Sequence, residues 1–190
     1  MKTALIGLDY MVDIMHPSGK IARSAAHAEE KGVIAKFNHA LSIAQEKDWL
    51  RILVKVGFEP GYADLPAHSP IFSRAKEFGV LDLSGPGGEF HPDLDAHAAQ
   101  AVVIKPRVSA FYATRLEAFL RANRIERVIL AGVSTAWAVQ AAARDAHDRD
   151  YTVVVLEDAC AASSEEEHQR SIDTLRGIAR IATIGELAAL

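Results

Sequence analysis

The feature that most limits the fold of this chain is the way short apolar runs alternate with helical patterns along its length. Apolar, β-branched runs fall at Thr3–Leu8, Arg51–Val56, Ala101–Lys105, Arg127–Gly132, Thr152–Glu157 and Ile178–Thr183. Between them the spacing changes to a helical period. A helix is expected over Ala25–Lys47, where Val33, Ile34, Phe37, Leu41 and Ala44 recur on one face. Thr114-Arg-Leu-Glu117 reads as a capping box opening a helix to Asn123. A further helix is expected over Thr135–Asp148. Ser164-Glu-Glu-Glu167 reads as a second box for a helix to Leu175, and a short helix follows the last strand. Strands alternating with helices specify an α/β fold. The expectation is a three-layer α/β/α sandwich on a mostly parallel six-stranded sheet, with residues 1–190 as a single domain.

Composition removes several function classes. The chain has 190 residues, 49% apolar and 24% charged, which is a globular balance and not that of a disordered segment. Its formal charge is −4 and its Lys and Arg are scattered, so no nucleic-acid partner is expected. The longest apolar runs, such as Val128–Val133, are far too short to span a bilayer. The N-terminal run reaches Asp9 too early for a signal peptide. Cys160 is the single cysteine, which excludes an internal disulfide and a Cys-rich zinc site and fits a cytoplasmic location. A small-molecule substrate is the expected partner.

Open parallel sheets bind ligands outside the carboxyl ends of their strands. Asp9, Lys105, Val133–Ala138 and Glu157–Cys160 stand there. Asp9 and Lys105 are expected on strands lying side by side, where a carboxylate and an ammonium tune each other's pKa. The bland alternative is an N-capping Asp and a solvated Lys.

Taken jointly, several segments resemble the isochorismatase-like hydrolase superfamily, which includes nicotinamidases, N-carbamoylsarcosine amidases and isochorismatases. They are Lys105-Pro-Arg-Val-Ser-Ala-Phe111-Tyr-Ala-Thr-Arg-Leu116, Ala131-Gly-Val-Ser134-Thr135-Ala-Trp137-Ala138-Val139, Arg144-Asp-Ala146 and Val153–Ala161. The resemblance covers nearly the whole chain. It implies a catalytic aspartate at Asp9, a lysine at Lys105, and a cysteine nucleophile at position 138, where this chain has Ala138. Asp13 matches a second acid of the family's first motif. Met11 and Ile14 depart from its common Gln and Phe. Cys160 lies after the fifth strand and is expected to be packed and inert. The resemblance also implies a cis peptide at Val133–Ser134 and an oxyanion hole from the backbone N–H groups of Ser134 and Ala138. Ser134, Thr135, Trp137, Phe111 and Arg107 are the expected substrate-binding residues. Arg107 offers a fork for a carboxylate, and Phe111 either walls the pocket or packs in the core.

Alanine removes acyl-enzyme chemistry at position 138. Three readings stay open. One is a cysteine-independent hydrolase with Asp9 as acid or base, Lys105 as its partner and water as the nucleophile. Another is an amidase whose cysteine was replaced. The last is a catalytically silent small-molecule-binding protein.

No metal and no cofactor are expected. Asp64-Leu-Pro-Ala-His68 lacks the middle His of the nicotinamidase metal site, and His68 is placed near the pocket mouth. His91 is expected in a turn before Pro92. Gly85-Pro-Gly-Gly88 lacks the Gly-Lys-Ser/Thr of a phosphate loop. The long segment Gly57–Ala98, with Phe58–Tyr62 and Ile71-Phe72, is expected to be a substrate lid or a subunit contact. Glu165–Glu167 and Arg144–Asp150 read as solvated helix faces. The resemblance implies a homodimer or homotetramer.

Overall fold

The computed structural model describes residues 1–190. Six strands form one sheet: β1 (Thr3–Leu8), β2 (Leu50–Val56), β3 (Ala101–Lys105), β4 (Arg127–Gly132), β5 (Thr152–Leu156) and β6 (Arg180–Ala182). Their order is β3-β2-β1-β4-β5-β6 and every pairing is parallel. The helices are α1 (Val12–Met15), α2 (Ala25–Glu30), α3 (Val33–Glu46), α4 (Ala75–Phe78), α5 (Leu116–Ala122), α6 (Gln140–His147), α7 (Glu165–Leu175) and α8 (Ile184–Leu187). None is long and apolar enough to cross a membrane.

The chain winds outward from β1 through β2 to β3, then returns to the other side of β1 for β4, β5 and β6. The strand order therefore reverses between β1 and β4, where such sheets open a crevice. All six residues of β1 are buried, as befits a strand covered on both faces. The main core joins these strands to Phe37, Leu41 and Ala44 of α3, Leu116 and Leu120 of α5, and Ile172 and Leu175 of α7.

Several expectations are corrected. The helix expected over Ala25–Lys47 is two helices. Gly32 adopts φ +62°, and Lys31 and Gly32 close the first helix by donating to His27 and Glu29. The left-handed residue stops one helix and caps the next. Asp9 and Lys105 are not on neighbouring strands, because β2 lies between β1 and β3. The stretch Thr135–Val139 is a π turn leading into α6, and Glu157 opens a 3₁₀ turn after β5.

The Thr114 box is incomplete. Thr114 Oγ1 accepts from Leu116 N–H, but Glu117 turns outward to Arg149 and Arg121, whose charges outcompete a neutral amide. Ser164 caps α7 by accepting from Glu167 N–H at 3.2 Å. The Glu167 carboxylate returns to Ser163 instead of Ser164.

The segment Gly57–Ala98 is not an idle loop. Phe58, Phe72, Ala75, Val80 and Leu81 join Met11 and Val56 in a second small core. Asp13 fastens it by accepting from Leu81 N–H at 2.8 Å.

Candidate active site

A cavity of about 290 Å³ opens at the carboxyl edge of the sheet. Its floor is made by the residues that end β1, β3 and β4. Asp9 ends β1 in the left-handed region, φ +57°, with its N–H donating to Val54 O at 2.9 Å. Aspartate is one of the few residues that take this conformation readily. The carboxylate is 4% exposed.

Lys105 ends β3, paired in register with Val56 of β2. Its side chain is long enough to cross the end of β2. Nζ lies 2.7 Å from Asp9 Oδ2 and donates to Val108 O at 2.7 Å. Burial pushes the Asp9 carboxyl above its ordinary range, while the Lys105 ammonium pulls the other way. Asp9 Oδ1 is buried and has no hydrogen-bond partner in the protein.

The third edge of the floor comes from β4. Gly132 lies so close to β1 that a Cβ there would sit 2.3 Å from Leu8 O. No side chain fits, so the glycine is what lets the following residues reach the crevice. The Val133–Ser134 peptide is cis, as the resemblance implied. Ser134 Oγ is buried without a partner. Its N–H finds no acceptor within the chain.

Of the expected site residues, Asp9, Lys105, Ser134, Trp137 and Ala138 all line this cavity. Ala138 is buried against it, and Trp137 stands at the rim, 55% exposed. Thr135, Phe111 and Arg107 do not line it. Thr135 is wholly buried behind the turn, with N–H to Ala161 O and Oγ1 2.8 Å from His168 Nδ1. Phe111 is a core aromatic, stacked on Tyr151 with Arg149 over its ring. Arg107 is tied by Nη1 to Pro106 O and Asp64 O, which holds it away from the cavity.

The structure also places the other residues singled out in the sequence. His68 is exposed and not part of the lining, whereas Ile71 and Phe72 form one wall. His91 sits in a turn and donates its N–H to Tyr10 O. No three His, Cys, Asp or Glu side chains come together as a ligand set. Cys160 is buried, its thiol donating to Leu156 O and pushed up to about 12 by burial. Such a thiol is a poor nucleophile.

Sequence reasoning missed Arg23 and Glu167, both of which line the cavity. Glu167 was assigned to a solvated helix face. Its place in the first turn of a helix that follows a parallel strand was the available signal, since that turn lies at the carboxyl edge of the sheet. Arg23 lies in an irregular stretch before α2 and offered none.

The comparisons with known proteins agree with this fold. A family model described as "Isochorismatase domain" matches residues 3–188. The isochorismatase family protein YecD of Escherichia coli O157:H7 is 34% identical over 139 residues, 71% of this chain and 70% of the relative. Ureidoacrylate amidohydrolase RutB of Acinetobacter baylyi is 28% identical over 162 residues, 78% of this chain and 66% of the relative. Among solved structures, a cysteine hydrolase from Pseudomonas syringae superposes with a TM-score of 0.89 at 21% identity, covering 99% of this chain and 91% of that one. N-carbamoylsarcosine amidase from Thermoplasma acidophilum superposes at 0.77 with 23% identity, each chain covered to 97%. These structures share the fold, and the sequence matches share more than the fold. A buried Asp–Lys pair at the reversal point of a parallel sheet, inside a match over nearly the whole chain, leads to one conclusion: the protein belongs to the isochorismatase family.

Proposed function

We propose that this protein is a hydrolase of small molecules in which Asp9 moves the proton and water is the nucleophile. The observation that carries the proposal is the buried Asp9–Lys105 pair with Asp9 Oδ1 left unpartnered against the cavity. An unsatisfied buried carboxylate oxygen is costly unless a ligand or a water completes it. The names of the relatives, amidohydrolase and amidase, favour a C–N substrate.

For an amide, Asp9 takes a proton from water as its oxygen bonds to the carbonyl carbon. The carbonyl oxygen becomes an oxyanion beside the free Ser134 N–H. The C–N bond then breaks, and the protonated Asp9 returns the proton to the leaving nitrogen. The Lys105 ammonium balances the carboxylate whenever Asp9 is ionised. A vinyl ether is the alternative substrate: Asp9 protonates the alkene carbon, water adds to the resulting oxocarbenium carbon and returns a proton to Asp9, and the C–O bond of the hemiketal then breaks to give a carbonyl compound and an alcohol. Neither route needs a side-chain nucleophile at position 138.

Ala138, at the position where the resemblance expects cysteine, favours a second reading, in which the cavity binds a small molecule without turning it over. Asp9→Asn, Ala138→Cys and the protein as it stands should be assayed together on small amides and isochorismate-type enol ethers. The expected result is turnover by the alanine protein and its loss, by at least a hundredfold, in Asp9→Asn. Turnover by Ala138→Cys alone would identify an amidase lacking its nucleophile. No turnover by any of the three would favour the binding protein.

A further inference from the structure

Four charged side chains line the cavity: Asp9, Arg23, Lys105 and Glu167. Three of them hold a partner by at least one atom. Asp9 and Lys105 hold each other. Glu167 Oε2 accepts from Ser163 N–H at 2.9 Å and from Ser163 Oγ at 2.7 Å. Arg23 is exposed, and it has no side-chain hydrogen bond and no ion pair.

The backbone that presents Arg23 is held in place. Ile21 N–H donates to Asp13 O at 3.2 Å, Arg23 N–H donates to Ile21 O at 2.8 Å, and the next residue, Ser24, is buried. Arg23 and Glu167 line the same cavity. The Ser163 hydrogen bonds hold the Glu167 carboxyl below its ordinary range, and Arg23 adds to the pull. Yet Glu167 spends its Oε2 on Ser163 and leaves the guanidinium free.

The rest of the lining is largely apolar. Ile14, Ile21, Val56, Phe72, Leu81 and Val108 contribute to it, with Asp9 and Ser134 on the floor. A guanidinium presents five N–H donors in a planar fork that matches a carboxylate. A pocket with apolar walls, a reactive floor and one unspent fork fits a ligand with an apolar body and an anionic end. The nearby Glu167 charge disfavours a second negative group.

We propose that Arg23 is a specificity-determining residue that binds the carboxylate of a monoanionic substrate, with a short apolar chain joining that carboxylate to the scissile group. The proposal deepens the hydrolase reading, but its binding part stands without turnover.

Three probes of equal chain length test it: adipamic acid, hexanamide and 6-aminohexanamide, which end in a carboxylate, a methyl group and an ammonium. Their affinities would be measured by calorimetry for the protein and for its Arg23→Ala, Arg23→Lys and Arg23→Glu variants, with hydrolysis followed in parallel. The expected result is adipamic acid bound about tenfold or more tighter than hexanamide, as one charge-assisted hydrogen-bonded pair supplies. That ratio should collapse towards one in Arg23→Ala, survive in part in Arg23→Lys, and give way to a preference for 6-aminohexanamide in Arg23→Glu. Equal affinities in the unaltered protein, no binding of adipamic acid, or a preference that persists in Arg23→Ala would overturn the proposal. Charge preference without hydrolysis would sink the hydrolase reading and leave Arg23 in its role. Hydrolysis with no charge preference would do the reverse.

Discussion

His168 and Asp9 are both buried near the sheet edge, and burial acts on them in opposite directions. Each disfavours its charged form, so the imidazole loses its proton more readily and the carboxyl holds its proton longer. Burial lowers the His168 pKa from 6.5 to about 4, with the Lys31 charge adding to the effect. Between those values the unfolded chain binds a proton that the folded chain refuses. The His168 contribution to stability is therefore full above pH 6.5 and is lost as pH falls towards 4. Asp9 works the other way. Its carboxyl is raised from 3.8, so its contribution is present below that value and declines as pH rises through the raised one. We expect His168→Gln, which keeps a hydrogen-bonding group beside Thr135, to flatten the loss of stability between about pH 6.5 and 4. Urea unfolding of both proteins at several pH values across that window checks this, and parallel curves would show that His168 is not the group responsible.

The break between α2 and α3 depends on one residue. A Cβ at Gly32 would meet nothing within 4 Å, so a substitution there is resisted by backbone conformation alone. Alanine in the left-handed region costs about 1–2 kcal/mol, partly offset by the smaller entropy of its unfolded chain. We expect Gly32→Ala to destabilise by about 1 kcal/mol and Gly32→Asn by less, because Asn tolerates that region. Denaturant midpoints rank the two, and the reverse order would mean that something other than φ decides. The same break explains what was legible in the sequence at this scale. β1 and β4 appear as apolar runs because burial on both faces demands them. The helical period of Ala25–Lys47 was equally visible, but period alone does not distinguish a glycine inside a helix from one between two helices. Capping acids were visible as letters, while their partners, Arg149 for Glu117 and Ser163 for Glu167, depend on tertiary placement.

At the scale of the whole molecule, the strand order predicts where the fold opens. β1 lies in the middle of the sheet, flanked by β2 and β4, and is buried along its full length. β3 and β6 are edges, each with exposed residues. We expect amide exchange to be slowest in β1 and β4 and fastest among the strands in β3 and β6. Exchange-mass spectrometry resolves these segments, and a fast β1 would contradict the topology. Much of the site was legible because sheets of this kind gather function at their carboxyl edge: Asp9, Lys105, Ser134, Trp137 and Ala138 meet there. Arg23 was not, since nothing in an irregular stretch announces which of its side chains will line the cavity.

Lys105 reaches Asp9 by passing over the end of β2, and the chain separating the two includes both β2 and the long segment with its second core. The ion pair therefore forms only when three strands stand in their proper alignment. A slip of one residue in either pairing turns each side chain to the opposite face. Such a slip would leave an ammonium or a carboxylate facing the interior with no counter-charge. The pair thus makes misaligned sheets expensive, and any assay that depends on it also measures the fraction of molecules whose half-sheet has assembled correctly.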